Sequence, residues 1–165
     1  MSGQDIEKRA RPLSGRRIAV TRPEAQAKPL VEGLRELGAE PVSHPTIRIA
    51  EPDDPEPLRR ALEELESYSW VVFTSANGVD RFWQELEASG RGGTLPGGIA
   101  TAAIGPATAE ALERRGVEAR IVPDEYVAEA IAEALTAGGV AGAKVLLPRA
   151  AGARQVLPER LRAAG

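Results

Sequence analysis

Apolar residues in this chain fall alternately into short runs and helix-spaced stripes. Arg17-Ile18-Ala19-Val20-Thr21 predicts a buried strand, which Arg22-Pro23 ends. The next stretch repeats Ala27, Leu30, Val31, Leu34 and Leu37 on one helical face, and Gly38 fits its C′ position. Glu40 to Ser43 predicts a second short strand. His44-Pro45 breaks it, and Ile47 and Ile49 alternate with polar neighbours as a half-buried extended segment. Residues 51–66 change character: seven acids outnumber Arg59 and Arg60, and Pro52, Pro55 and Pro57 stiffen the entry. A domain boundary is placed here, near residue 50, followed by a helix with Leu58, Leu62 and Leu65 facing inward.

The alternation then continues. A strand at 70–74 leads to a helix with Val79, Phe82, Trp83 and Leu86 on one stripe, and glycine-rich residues 90–98 form a flexible surface loop. A strand at 99–104, a helix from 106 to about 115 and a short strand at 119–122 follow. Next come a helix near 127–135, a strand at 144–147 and a last helix near 153–164, where Pro158 is tolerable only in or near the first turn. This order predicts an α/β fold, a doubly wound, flavodoxin-like parallel sheet with helices on both faces. Residues 15–48 read as the opening segment of a second, similar and discontinuous domain, and 49–165 as a nearly complete domain. Residues 1–14 are polar and read as a frayed leader. Gly165 stands where a cap glycine leads into another strand, and 17–49 has too few elements to bury its own sheet face. Both point to a chain cut short.

Composition narrows the chemistry. With no cysteine and His44 as the single histidine, disulfides, thiolate metal sites, cysteine nucleophiles and histidine-rich centres are excluded. No apolar run approaches the roughly 20 residues that span a bilayer, and no targeting signal is visible, so a cytoplasmic location is expected. A net charge of −3 with 4% aromatic residues offers neither the basic stripe nor the stacking platform of a nucleic-acid binder.

Two strand-to-helix turns carry the chemistry. Thr74-Ser75-Ala76-Asn77-Gly78 and Gly105-Pro106-Ala107-Thr108 each place hydroxyls and bare backbone N–H groups at the carboxyl end of a strand. There the helix start favours an anion. Ordinary N-capping by Ser75 or Asn77, and Pro106 as a first helical residue, explain these residues one at a time. They explain less well the clustering of Thr, Ser, Asn and Gly at one strand end. Arg22 and Arg149 directly follow strands, and Arg154 comes a turn later; guanidiniums there suit a carboxylate or phosphate, though local ion pairs are the commoner use. His44 reads as hinge or packing. The glycine loop has no phosphate-binding fingerprint, and no positioned pair of carboxylates supports acid–base hydrolysis.

At these residues the chain resembles the uroporphyrinogen-III synthases of tetrapyrrole biosynthesis. The resemblance rests on Leu13 to Pro23, Phe73-Thr74-Ser75-Ala76-Asn77-Gly78-Val79, Ala103-Ile104-Gly105-Pro106-Ala107-Thr108-Ala109, and Val145-Leu146-Leu147-Pro148-Arg149-Ala150 with Ala153-Arg154. It implies a cofactor-free, two-domain α/β lyase that cyclises hydroxymethylbilane, inverts the last pyrrole ring and loses water, with no nucleic-acid or membrane partner and a monomeric full-length form. It also implies that a C-terminal portion is absent, including a returning linker strand and a tyrosine near the cleft, so that this chain alone is expected to be inactive. Thr108 matches the family's cleft threonine and is the catalytic candidate. Arg22, Thr74, Ser75, Ala76, Asn77, Gly105, Pro106 and Arg149 are candidate substrate-binding residues, many acting through backbone. The alternative is a non-catalytic α/β module that binds a phosphate or carboxylate at the same loops. A bacterial receiver-like domain lacks its acidic cluster here.

Overall fold

Four consecutive strand formers, Trp70-Val71-Val72-Phe73, make the strand around which most of the molecule is built, and all four are buried. Burial on both faces is what a central parallel strand requires. In the computed structural model, which describes residues 11–165, contacts divide the chain into two units, one running to Glu51 and one over Pro52–Gly165. Residues 1–10 of the expected leader lie outside the described residues.

In the first unit, β1 (Arg17–Val20) pairs parallel with β2 (Glu40–Ser43), joined through helix α1 (Glu24–Glu36). The helix ends as the glycine predicts. Gly38 takes φ +90, its amide reaches the Arg35 carbonyl at 2.9 Å, and the Ala39 amide reaches that of Leu34 at 2.9 Å. Residues 11–14, expected to fray, instead form a turn: the Leu13 amide donates to the Leu37 carbonyl at 3.0 Å, satisfying one orphan acceptor of the helix end. The predicted burial is met only in part. In β1 only Val20 is buried, and on α1 Ala27 is buried while Leu30, and Leu37 at the helix's C-cap, are exposed. Ile47 and Ile49, expected to be half-buried, are 65% and 55% exposed. Periodicity marked these positions as apolar, but the described residues of this unit supply one helix to cover two strands.

In the second unit, α2 (Glu56–Glu63) and a 3-10 turn (Leu65–Ser67) lead into β3 (Trp70–Phe73). Then follow α3 (Ala76–Ala88), β4 (Ala100–Ala103), α4 (Pro106–Glu113), α5 (Ala128–Ala137), β5 (Val145–Leu146) and α6 (Val156–Ala163). The sheet order is β4-β3-β5, all parallel. Alternate residues of β3 serve separate cores. Val71 and Phe73 join Leu62, the α3 stripe of Val79, Phe82, Trp83 and Leu86, and Leu112 of α4. Trp70 and Val72 join Ile131 and Leu135 of α5 and Leu157 of α6. The small residues of β4, Ala100-Thr101-Ala102-Ala103, keep that strand thin, and the buried Thr101 hydroxyl donates to the Glu118 carbonyl at 2.8 Å.

Segment 119–122 forms an isolated parallel bridge, Ala102 to Ile121, rather than the predicted strand, and Pro123 then removes the next ladder donor. The last helix begins at Val156, three residues later than predicted, which leaves Pro158 within its first turn.

The glycine-rich loop is pinned rather than loose. The Trp83 indole N–H donates to the Gly93 carbonyl at 2.9 Å, and the Arg91 guanidinium bonds the Glu63 carbonyl at 3.0 Å and the Glu66 carboxylate. That hydrogen bond from Arg91, with a backbone one, holds the Glu66 carboxyl below its ordinary value. A depressed carboxyl contributes to the loop's attachment at neutral pH, and the contribution fades as pH falls through the folded-state value. In an NMR titration the Glu66 carboxyl should therefore show a midpoint below the ordinary range, and Arg91→Ala should raise it. An ordinary midpoint in the unsubstituted protein refutes the pairing.

Candidate functional site

Because β3, β4 and β5 are parallel, their carboxyl ends share one edge of the sheet, and the loops that leave them gather there. The Ile104 amide donates to the Phe73 carbonyl at 3.0 Å, which ties the first two loops at their roots. On the other side, a Cβ at Gly78 would lie 3.4 Å from the Pro148 carbonyl oxygen, so the loop after β5 passes directly beside the start of α3.

The turn after β3 opens α3 through Ser75. Its backbone is extended (φ −164, ψ 152) and its hydroxyl accepts from the Gly78 amide at 3.0 Å. Ser75 is thus an N-cap. Its acceptor is committed to the helix, while its O–H proton stays available to a ligand. Replacing Ser75 with alanine should lower stability by about 1 kcal/mol, read as a shift in the urea midpoint; an unchanged midpoint removes the cap. Thr74 is half-buried, Ala76 partly buried and Asn77 exposed.

The turn after β4 uses no side-chain cap. Gly105 is buried and extended (φ −176, ψ 178), a conformation open to any residue. Pro106 is exposed at the first helical position, and Thr108 is 4% exposed on the inner side of the first turn. Its hydroxyl makes no hydrogen bond among the described residues. The amides of Ala76 and Ala107 likewise carry none, so each helix start turns open backbone donors toward the shared edge.

Arg149 follows β5 as the sequence indicates, but its guanidinium turns along its own chain. One nitrogen donates to the Arg154 carbonyl at 2.9 Å and contacts that of Ala153 at 3.5 Å, bracing the loop into α6. Arg154 is exposed and lies 3.8 Å from Glu129. Arg22 and His44 are exposed residues of the first unit, the latter donating its amide to the Val20 carbonyl at 2.8 Å. The edge of the second unit's sheet therefore assembles Thr74, Ser75, Ala76, Asn77, Gly105, Pro106, Thr108 and Arg149, with Arg22 in the other unit.

Sequence reading overlooked a fourth contributor. Segment 122–127 leaves the Ile121 bridge at the same edge, and its Tyr126 ring lies over Gly105: a Cβ there would meet the ring's Cγ and Cδ1 at 3.0 Å. Its only sequence signal was an aromatic between Pro123 and a helix start, without periodicity. An open depression of about 370 Å³ between α5 and α6 is lined in part by Thr136 and Ala137, at the carboxyl end of α5, and by Arg160, paired with Glu133 at 2.9 Å. It lies at the opposite end of the strands from these loops, among groups already paired, and offers no comparable chemistry.

The chain is similar to known proteins in sequence and in fold. A family model described as Uroporphyrinogen-III synthase HemD matches residues 28–165. The chain is 33% identical over 156 residues to the uroporphyrinogen-III synthase of Synechococcus elongatus, covering 93% of this chain and 58% of that protein. It is 35% identical over 116 residues to the porphyrin biosynthesis protein HemD of Ruminiclostridium josui, covering 70% of this chain and 23% of that one. The chain thus spans well under two thirds of the length of these relatives. Crystal structures of uroporphyrinogen III synthase from the extremely thermophilic bacterium Thermus thermophilus share its fold at 20% and 22% identity, with TM-scores of 0.55 and 0.64, each over 92% of this chain and 58% of that one. The match over residues 28–165 includes both helix-start turns and the loop after β5, and by it the chain belongs to the uroporphyrinogen-III synthase family.

Proposed function

We propose that these loops form one wall of a tetrapyrrole site, in a protein that cyclises hydroxymethylbilane to uroporphyrinogen III. The observation that carries the reading is the pair of helix starts with open amides, side by side on β3 and β4, within a chain of this family. The substrate carries eight carboxylates, and backbone donors at the positive end of a helix suit them. Ser75, Asn77 and the amides of Ala76 and Ala107 hold the acidic side chains, while Thr74 and Gly105 shape the roots of the two turns.

The reaction expels the hydroxyl of a hydroxymethyl group and closes the terminal rings with inversion of the last, so water leaves and no electrons are exchanged. In this reading Thr108 donates a hydrogen bond to the departing oxygen, which is supported by a hydroxyl that has no partner among the described residues. Most of the acceleration comes from holding a flexible chain with its ends together. Arg149 serves the site by ordering the loop it braces, and Arg22, in the first unit, carries a guanidinium suited to an acid group.

In the same reading, residues 49–165 are a doubly wound, flavodoxin-like domain, which the β4-β3-β5 order and the two cores of β3 support. Residues 15–48 are the opening segment of a similar second domain. The test is a calorimetric titration of the 165-residue chain with uroporphyrinogen III, beside ATP and inorganic phosphate. Tetrapyrrole binding is expected; nucleotide or phosphate binding without it would favour a plain anion-binding module.

A further inference from the structure

We propose that Tyr126 is a substrate-positioning residue whose ring supports a pyrrole of the bound tetrapyrrole; the proposal rests on the site reading above. Gly105 provides the first observation. Its extended backbone does not call for glycine, since φ −176 is accessible to every residue. What excludes a side chain there is Tyr126: Cγ and Cδ1 at 3.0 Å and Cβ at 3.3 Å from the position a Cβ would take. Glycine at 105 and tyrosine at 126 therefore fit one another, and the fit fixes the root of the ring against the start of α4.

The second observation is what the ring does beyond that contact. Tyr126 remains 60% exposed, its phenol has no hydrogen-bond partner among the described residues, and Val122 and Val127 beside it are 41% and 40% exposed. A lone exposed apolar residue carries no message, but this ring is held at the edge where the open amides of Ala76 and Ala107 lie. The other large aromatics of the unit do not reach that edge: Phe73, Phe82, Trp70 and Trp83 are buried, and Tyr68 precedes β3 at the opposite end.

A linear or cyclic tetrapyrrole alternates flat, electron-rich rings with carboxylates. The loop amides and hydroxyls answer the carboxylates, while the residues that the sequence nominated for the site include no aromatic to answer the rings. Tyr126 supplies that surface, and its hydroxyl adds one donor at the rim.

The 165-residue chain and its Tyr126→Leu and Tyr126→Phe variants are titrated with uroporphyrin III, followed by Soret absorbance and induced Soret circular dichroism. Tyr126→Leu should weaken binding about tenfold and remove the induced dichroism, while Tyr126→Phe stays within about twofold. The urea midpoint of Tyr126→Leu should be unchanged, because the side chain is mostly exposed. A Tyr126→Leu variant that binds with the unsubstituted affinity and Soret signal overturns the proposal and leaves the site reading intact. A Tyr126→Phe variant as weak as Tyr126→Leu also overturns it, assigning the effect to the hydroxyl instead of the ring. Failure of the unsubstituted chain to bind uroporphyrin III overturns this inference, and failure to bind uroporphyrinogen III as well overturns the site reading with it.

Discussion

Replacing Trp83 with alanine should remove about 3–5 kcal/mol of stability, enough to leave the Pro52–Gly165 unit marginal against the roughly 5–15 kcal/mol typical of domains. Trp83 is 1% exposed and sits in a three-ring cluster, its centroid 5.2 Å from that of Phe82 and 5.9 Å from that of Phe73. Phe73 and Phe82 meet edge-to-face at 5.4 Å. Removing the indole leaves a cavity bordered by a strand and two helices, which cannot all move in to fill it. The variant also loses the bond to the Gly93 carbonyl, which is one of the two anchors of the glycine-rich loop. Trp83→Phe separates these contributions: it keeps most of the ring packing, so the loop should become protease-sensitive with a smaller shift in the urea midpoint. Urea unfolding followed by circular dichroism checks the first variant, and limited proteolysis the second. A loss below about 1 kcal/mol for Trp83→Ala is incompatible with a packed core at this position.

The second large effect is expected at Gly105. Gly105→Leu places a branched side chain where the Tyr126 ring lies at 3.0 Å, and the atoms in the way are Cγ, Cδ1 and Cβ, near the backbone rather than at a free tip. The ring and the 122–127 loop must shift, and the leucine then covers the start of α4. Overpacking of this kind costs about 1–3 kcal/mol. The functional loss is the larger: binding of uroporphyrin III should weaken more than about tenfold, because the intruding side chain shields the Ala107 amide and displaces Tyr126 together. Calorimetry on Gly105→Leu and Gly105→Ala measures both. Unchanged affinity in the leucine variant would place the tetrapyrrole elsewhere on the molecule.

Local chemistry was legible where the chain carries its own instructions. Trp70 to Phe73 announces a central strand by having no polar residue on either face, and the Phe82, Trp83 and Leu86 spacing announces the helix that covers it. Gly38 marks the end of α1 to the residue. What periodicity cannot encode is the partner. Leu30, Leu37, Ile47 and Ile49 obey helix or strand spacing and remain exposed, because spacing orients a side chain without providing a neighbour. The site divides the same way. Ser75 and Thr108 were visible as strand-to-helix chemistry, whereas the Arg149 guanidinium turned to carbonyls four and five residues along its own chain, a choice set by loop curvature. Tyr126 stayed hidden because it gains its meaning from Gly105, twenty-one positions earlier.

The two helix starts also differ in how evolution or an engineer could tune them. A donor that belongs to the backbone survives every side-chain exchange except one, to proline. At α4 that exchange is already present: Pro106 occupies the first helical position and supplies no N–H, so this turn offers one amide fewer than its neighbour. At α3 the equivalent position is Ala76, preceded by Ser75 in the extended conformation that a following proline demands. A single codon change there would silence a donor while leaving helix, cap and core in place. This edge of the sheet thus behaves like a keyboard whose keys can be removed one at a time without disturbing the frame.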